Sequence, residues 1–358
     1  MNPKHFLSTI PTFLVGCLLA LSFHIYFTSP ISPDLLNLPP PSSASVPPTN
    51  NHLKKITKLG EGFLEGPEDV CVDNEGILYA ATRDGWIKRL YNNNSVEDWK
   101  MTNRNHLLGI TATASGDLVV CDSEEGLLKV SEDGVTSIVS YFNNSKIRFA
   151  DDVVEARDGT LYFSIASTKF GLHNWFLDML EAKPHGQLLK HDPSTNHTTL
   201  VMDNLCFANG VALSADQDYL LVCETWKFRI LKYWLEGDRK GQTETFIENL
   251  PGGPDNINLA PDGTFWVALI QLTSSGFEFV HTSKIAKHLI ATFSALSNLV
   301  LGAHQSAMVV NVAADGRILR ILGDTDGRVT SFVTSAVEFE DHLYLGSLSS
   351  NFVGKLPL

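Results

Sequence analysis

The stretch LPGGPDNINLAPDGTFWVAL, residues 250–269, contains the pattern from which the fold can be inferred. A Gly-Gly-Pro turn leads into a short strand, and a Pro-Asp-Gly turn joins that strand to a second, more apolar one. The first strand begins with Asp255 and Asn256, although the residues that follow are mostly apolar. Polar oxygens at the start of a buried strand need partners, because an unpaired charge is costly to remove from water. Other strands with the same feature indicate where those partners lie.

Similar units recur along the chain. Each has a short strand, a tight turn with Gly or Asp, a second apolar strand and a third strand of alternating polarity. The six units begin at Pro67, Leu108, Ala150, Asn209, Pro254 and Val333. Repeats of several strands, at intervals of roughly 40–60 residues, are typical of β-propellers. We therefore predict an all-β fold, a six-bladed β-propeller formed by residues 52–358. A pair of β-sandwiches is the alternative, which six similar units make less favourable.

The sixth unit has one strand too few before the chain ends at Leu358. The segment LKKITKLGEG, residues 53–62, can supply that strand and close the ring, which removes exposed sheet edges. Two insertions, residues 170–186 and 282–299, interrupt the repeat and resemble short helices. We expect both to project from a face of the disc as caps.

The N-terminal segment, residues 1–27, has the character of a membrane signal. From His5 to Phe27 it contains no acidic, lysine or arginine residue, and it is about as long as the roughly 20 residues that span a bilayer. A cleavable signal usually has a shorter apolar region and an Ala-x-Ala-like exit. We therefore predict an uncleaved signal anchor with residues 6–27 in the membrane, and cleavage is the alternative. Residues 28–51 are rich in proline and serine, which predicts a tether without a core.

Three glycosylation sequons favour the secretory pathway. They begin at Asn93, Asn143 and Asn196, each in a polar stretch between predicted strands. We predict a membrane-anchored protein with its propeller in the lumen of the endoplasmic reticulum, or a vacuolar or extracellular one if the N-terminus is cleaved. The chain has 40 acidic and 27 basic residues, a net charge of −13, which argues against nucleic acid as a partner.

Oxygen-bearing side chains stand at the start of the first strand in four of the six units. They are Glu68, Asp69, Asp151, Asp152, Asn209, Asp255 and Asn256. Because the first strand of each propeller unit lines the central channel, these side chains converge on the axis. Carboxylate and amide oxygens together are the ligands that Ca²⁺ prefers, and without a cation the carboxylates would repel one another. We predict a central Ca²⁺ site with a small-molecule ligand at the channel mouth. The predicted metal ligands are Glu68, Asp151, Asn209, Asp255 and Asn256.

Residues 207–269, which begin FANGVALSADQDYLL, carry a family resemblance. They resemble the plant strictosidine synthase-like family, which has an animal relative in the adipocyte plasma membrane-associated protein. The similarity extends over essentially everything after the tether. More distantly, the chain is similar to the paraoxonases and gluconolactonases, six-bladed propellers that hydrolyse esters or lactones with a central metal.

The resemblance also assigns metal-ligand positions. The ligands of the related propellers are matched at Glu68, Asn209, Asp255 and Asn256. Asp151 stands where paraoxonases have an asparagine, a difference that keeps an oxygen ligand.

The catalytic positions of those relatives are not matched. The histidine dyad of the paraoxonases corresponds here to Leu108 and Asp122. The glutamate that serves strictosidine synthase as acid and base corresponds to Thr334, with Glu338 nearby as a substitute. The resemblance therefore implies the family and the metal site, and leaves the reaction open.

Three functions follow as hypotheses. In the first, which we favour, a Ca²⁺-dependent hydrolase acts on esters or lactones, and Asp255 or Asp152 activates water. In the second, the chain condenses an amine with an aldehyde, which Thr334 disfavours. In the third, the propeller binds a ligand without catalysis and its calcium is structural. Away from the predicted site, His173 is interpreted as an exposed or helix-capping residue and Trp226 as a packing residue.

Overall fold

The computed structural model describes residues 3–36, 50–91, 93–102, 106–270, 275–296 and 306–358. Its strands, in chain order, are β1 (Thr57–Leu59), β2 (Asp69–Val72), β3 (Leu78–Ala81), β4 (Trp86–Leu90), β5 (Val96–Met101), β6 (Leu107–Ala112), β7 (Leu118–Asp122), β8 (Gly126–Ser131), β9 (Gly134–Val139), β10 (Tyr141–Phe142), β11 (Ser145–Lys146), β12 (Ala150–Glu155), β13 (Leu161–Ile165), β14 (Gly186–Asp192), β15 (His197–Leu205), β16 (Ala208–Leu213), β17 (Tyr219–Glu224), β18 (Arg229–Trp234), β19 (Thr243–Ile247), β20 (Gly253–Leu259), β21 (Phe265–Ile270), β22 (Ala307–Val312), β23 (Ile318–Asp324), β24 (Val333–Phe339), β25 (His342–Ser347) and β26 (Val353–Pro357). Its α-helices are α1 (Pro3–Thr28), α2 (Trp175–Glu181), α3 (Ser275–His281) and α4 (Lys284–Thr292).

Within the described residues the strands form six four-stranded antiparallel sheets and one small hairpin, β10–β11. The sheets, from inner to outer strand, are β2-β3-β4-β5, β6-β7-β8-β9, β12-β13-β14-β15, β16-β17-β18-β19, β20-β21-β22-β23 and β24-β25-β26-β1. Each innermost strand contacts the innermost strand of the next sheet, and β24 contacts β2, so the ring is closed. The predicted six-bladed β-propeller is confirmed.

The ring closes as the sequence predicted. β1 is the outer strand of the sixth blade and pairs antiparallel with β26, with Thr57 opposite Lys355 and Leu59 opposite Val353. The start of the propeller thus completes the blade at its end, and β26 is not left as an open edge.

The second strands are buried on both faces because neighbouring blades pack against them from each side. Every residue of β7 and of β21 is buried. This explains why these strands are continuous apolar runs in the sequence, without the alternation of a half-exposed strand.

Both insertions place helices on one face of the disc. α2 lies between β13 and β14, and α3 and α4 lie between β21 and β22. Since successive strands alternate in direction, these second-to-third strand connections share a face with the starts of the inner strands. Leu177 and Leu180 of α2 belong to the same buried apolar cluster as Phe277 and Ile290. The two insertions therefore form one cap beside the channel opening. Residues 297–299 of the second insertion lie outside the described residues.

The N-terminal segment forms helix α1. In the described part of the chain, no helix is both long enough and apolar enough to cross a membrane. The three predicted glycosylation asparagines, Asn93, Asn143 and Asn196, are exposed and lie in turns. Their modification stays a prediction.

Part of the predicted tether packs on the cap. Ile31 and Leu36 are buried in the apolar cluster that contains α2. The Asp34 amide donates to the Glu181 carbonyl at 2.9 Å, and Lys287 Nζ donates to the Asp34 carbonyl at 2.5 Å. Proline and serine content did not reveal this docking, because it depends on partners that α2 and α4 supply. Residues 37–49 of the tether lie outside the described residues.

Candidate metal centre

The starts of the inner strands meet at a pocket of about 360 Å³ on the capped face. Four of the predicted ligands, Glu68, Asp151, Asn209 and Asp255, line this pocket. The fifth, Asn256, is buried beside them, and its Nδ2 donates to Glu68 Oε1 at 3.0 Å across a sequence separation of 188 residues. The fold therefore brings all five residues to one place, as the repeat predicted.

Backbone irregularities direct these side chains toward the axis. In blades two to six, the pairing between the innermost strand and its neighbour shifts register at the start of the inner strand. In the third blade, for example, the shift lies between Ala150 and Val153, on either side of Asp151. Bulges of this kind bend a strand and change the direction of a side chain.

In four blades a left-handed residue lies two residues before the same inner-strand position, which holds a predicted ligand in three of them and Thr334 in the sixth blade. These residues are Gly66 (φ 49°), Phe149 (φ 57°), Phe207 (φ 62°) and Phe332 (φ 48°). A left-handed conformation is unusual for a bulky side chain and marks a constrained backbone. All three phenylalanines line the pocket, and in two of these turns the ring is presented together with a predicted ligand, Asp151 or Asn209. The segments FAD (149–151), FAN (207–209) and FVT (332–334) were a signal of this arrangement that the sequence analysis missed.

Asp69 and Asp152 have a structural role. The Asp69 carboxylate accepts hydrogen bonds from the amides of Val70 and Ile110, each at 2.8 Å. The Asp152 carboxylate accepts from Val153 and Val211, each at 2.7 Å. Each carboxylate thus joins its own inner strand to the inner strand of the next blade. Asp152 does not line the pocket, so the interpretation of this residue as a catalytic base is not supported by its position.

Three buried oxygens of the predicted ligands have no hydrogen-bond donor among the described residues. They are Glu68 Oε2, Asn209 Oδ1 and Asn256 Oδ1. An unpaired buried acceptor costs about 1–3 kcal/mol. The three oxygens come from three different blades, and Ca²⁺ coordinates carboxylate and amide oxygens of this kind. The residues therefore fit the predicted ion.

The electrostatics of the cluster also favour a cation. Burial raises the pKa of Glu68 well above its usual range, and the charges of Asp255, Asp69, Asp151 and Asp152 raise it further. Burial and the Asp255 charge likewise raise the pKa of Asp151. Burial raises the pKa of Asp255 to about 8, although a hydrogen bond from Asn209 opposes the shift. A bound divalent cation would oppose these shifts, because it favours the ionised carboxylates.

A second cluster lies at the rim of the pocket. Ligand atoms of His106, Glu124 and His173 lie within 4.8 Å of one another, and in the described part of the chain no other three His, Cys, Asp or Glu side chains do so. No three of the central carboxylates therefore meet that distance. His173 is exposed, as predicted, and it also lines the pocket.

Aromatic side chains form one wall of the pocket. The rings of Phe207 and Trp226 are 4.3 Å apart, and Phe149 meets Phe207 edge to face at 5.3 Å. Trp175 of α2 stacks near Trp226 at 6.1 Å. Trp226 is therefore both a packing residue, as predicted, and a lining residue of the pocket. Its Nε1 donates to Asp178 of α2 at 2.9 Å, which ties the cap to the fourth blade.

The residues at the relatives' catalytic positions have other roles. Leu108 lines the pocket as part of its apolar wall. Asp122 accepts hydrogen bonds from the amides of Glu124 and Glu125 in the following turn. The Thr334 hydroxyl donates to the Glu68 carbonyl at 2.5 Å. Glu338 accepts a hydrogen bond from Trp266 Nε1 at 2.6 Å and does not line the pocket, so it does not replace the missing glutamate.

The fold and this site define a six-bladed propeller with an acidic, oxygen-rich centre. Two family models match the chain, strictosidine synthase over residues 151–238 and the strictosidine synthase-like N-terminal region over residues 48–90. Strictosidine synthase-like protein 4 of Arabidopsis thaliana is 34% identical over 327 residues, which cover 88% of this chain and 86% of the relative. The mouse adipocyte plasma membrane-associated protein is 31% identical over 354 residues, covering 92% and 85%. The chain belongs to the strictosidine synthase-like family.

Solved structures share the fold at low sequence identity. A gluconolactonase from Xanthomonas campestris superposes with a TM-score of 0.61 at 16% identity, covering 92% of this chain and 98% of its own. The calcium-binding protein regucalcin from Agrobacterium tumefaciens gives a TM-score of 0.53 at 14% identity, covering 84% and 90%. These similarities establish a shared architecture.

Proposed function

We propose that this protein is a calcium-dependent hydrolase of esters or lactones, and that the reaction takes place in the central pocket. The observation that carries the proposal is a set of convergent oxygens beside a pocket with an apolar wall. These oxygens, Glu68 Oε2, Asn209 Oδ1 and Asn256 Oδ1, have no donor within the described part of the chain. The architecture shared with a gluconolactonase and with calcium-binding regucalcin supports it.

The five predicted ligands would hold the ion. They are Glu68, Asp151, Asn209, Asp255 and Asn256. A bound Ca²⁺ supplies Lewis-acid chemistry, polarising an ester carbonyl and stabilising the developing oxyanion.

Asp255 is the proposed general base. It lines the pocket among the other predicted ligands, and a bound cation would keep its carboxylate ionised and able to accept a proton from water. The oxygen of water adds to the carbonyl carbon while one water proton moves to Asp255. The bond from that carbon to the alcohol oxygen then breaks, and the alcohol oxygen takes up the proton. Asn209 hydrogen-bonds the Asp255 carboxylate and orients it for this transfer.

The aromatic wall binds the substrate body. Phe207, Trp175 and Trp226 offer an apolar surface on one side of the pocket. This surface would exclude water from the reacting centre, except for the molecule that attacks.

The experiment that tests the proposal is hydrolysis of aryl esters and γ-lactones by the full-length protein in detergent, with Ca²⁺ and with chelator. The full chain is needed because residues 29–36 pack on the cap. We expect turnover only with Ca²⁺, and a loss of about 10²–10⁴-fold in Asp255→Asn, the usual contribution of a general base. Asp315→Asn is the matched control, since Asp315 is an exposed carboxylate outside the pocket.

Absence of turnover in the wild type, with a melting temperature that still falls on chelation, would favour a ligand-binding propeller with structural calcium. Amine–aldehyde condensation is the weaker alternative, because Thr334 bonds a backbone carbonyl and no carboxylate takes its place among the described pocket residues.

We also propose that the N-terminal helix associates the protein with a membrane and that the propeller is lumenal. Phe13, Leu18 and Leu19 of α1 are each more than 60% exposed, so they present apolar surface that the propeller does not cover. A relative is named plasma membrane-associated. Protease protection of the propeller in sealed microsomes, with a glycosidase-sensitive mobility shift lost in Asn93→Gln, Asn143→Gln and Asn196→Gln together, is the expected result. Digestion of the propeller in intact vesicles would contradict it.

A further inference from the structure

Arg83 lines the pocket and has no role in the chemistry assigned so far. It is in the turn between β3 and β4, on the face where the inner strands start, and it lines the pocket. Its amide donates to the Glu65 carbonyl at 2.7 Å, which fixes the turn. Gly66 makes room for the side chain, since a Cβ at that position would lie 2.8 Å from Arg83 Cγ.

The guanidinium has capacity for a ligand. Arg83 Nη1 is buried and has no hydrogen-bond partner among the described residues. The group stays charged at physiological pH, and its planar fork matches the two oxygens of a carboxylate. Among the described residues that line this pocket, Arg83 is the one lysine or arginine.

The charges around Arg83 do not exclude an anion once the predicted ion is bound. Glu68, Asp151 and Asp255 are the three carboxylates that line the pocket. Their three negative charges are balanced by one divalent ion together with one guanidinium. The lining side chains and the ion would then sum to about zero charge, with Glu65 as a further negative charge near Arg83. A substrate anion would meet Arg83 Nη1, a donor without a partner among the described residues.

The remainder of the pocket is suited to an apolar body. Phe149, Phe207, Trp175 and Trp226 line it with aromatic surface. Its volume of about 360 Å³ suits a small organic molecule of one or two rings.

We propose that the pocket binds an organic carboxylate with an aromatic or apolar body, and that Arg83 holds the carboxylate. The inference deepens the proposed function, on which it rests in one respect: the same pocket takes the substrate. It assigns to that substrate a free carboxylate in addition to the ester or lactone bond. Arg83 is then a specificity-determining residue, and the aromatic wall fixes the orientation of the body.

The test compares 4-phenylbutyrate with its neutral isostere, 4-phenylbutanamide, on the full-length protein in detergent with Ca²⁺. Binding is followed by the fluorescence of the pocket tryptophans. We expect the carboxylate to bind about 10- to 100-fold more tightly, the range of a charge-assisted hydrogen bond. Arg83→Gln should remove most of that preference, and Arg83→Lys should keep part of it because the charge remains. Arg317→Gln, at an arginine whose side chain is 73% exposed, is the control that should change nothing.

Equal binding of the two probes would overturn the inference, as would failure of both to bind at millimolar concentration. A preference that persists in Arg83→Gln would assign carboxylate recognition to the ion and would also overturn it. Neither probe contains a bond that the proposed hydrolase cleaves, so this result is independent of turnover. If the carboxylate probe binds through Arg83 but no ester is hydrolysed, carboxylate recognition is supported and the hydrolase proposal is rejected. If esters are hydrolysed but the carboxylate probe shows no preference, the hydrolase proposal is supported and carboxylate recognition is rejected.

Discussion

Once a chelator has removed the metal, the folded protein should be more stable at low pH than at high pH. The pKa of Asp255 is raised from its usual 3.8 to about 8 in the folded, ion-free protein. A carboxylate whose folded pKa lies above its unfolded value stabilises the fold at low pH. That stabilisation is complete below about pH 4 and is lost as the pH rises through about 8. At about 1.4 kcal/mol for each tenfold change, the span from 3.8 to 8 corresponds to on the order of 5 kcal/mol for Asp255 and the carboxylates that share its titration.

The assay is thermal unfolding of the full-length protein at about pH 5 and about pH 8, with Ca²⁺ and with chelator. Without the ion, the melting temperature should be higher at the lower pH. With Ca²⁺ the difference should shrink or reverse, because the ionised carboxylates are then the stable form. Asp255→Asn should weaken both effects, and Asp315→Asn, at an exposed carboxylate, should leave them unchanged. Chelated protein that melts at the same temperature at both pH values would refute the reasoning, as would an undiminished Ca²⁺ effect in Asp255→Asn.

Three further predictions concern positions around the site. Asp152→Ala should lower the free energy of unfolding in urea by about 1–3 kcal/mol, because the amides of two blades lose their acceptor. If the variant keeps its stability but loses Ca²⁺ affinity in calorimetry, Asp152 is a metal ligand instead. Trp226→Phe should lower the melting temperature, because Asp178 loses a buried donor, and an unchanged melting curve would show that this bond does not hold the cap. Leu36→Ala should lower the free energy of unfolding in urea by about 2–5 kcal/mol if residues 29–36 are part of the folded body. An unchanged free energy of unfolding would show that these residues act only as a tether.

The sequence was informative wherever the repeat supplied the argument. Asp255 and Asn256 at the head of a strand gained meaning because Glu68, Asp151 and Asn209 occupy the same position in other units. A closed ring brings equivalent positions to one axis, so the repeat alone predicted which side chains meet. The same reasoning placed Thr57–Leu59 in the last blade.

It was less informative about residues that share a position but differ in direction. Asp151 and Asp152 are neighbours in sequence, yet one lines the pocket and the other binds two backbone amides. A register shift on the inner strand decides between them, and such a shift is a property of the pairing with the adjacent strand. No composition or spacing rule carries that information.

The sequence by itself therefore determined the number of blades, the way the ring closes and the set of oxygens at its centre, because each follows from a repeated local pattern. Only the tertiary structure decided that Trp226, His173 and Arg83 line the pocket, and that Arg83 Nη1 has no partner in the part of the chain that is described. It also decided that Ile31 and Leu36 pack on the cap. These contacts join segments that are distant in the chain and do not repeat, so their energies depend on side chains that meet only when the ring has closed.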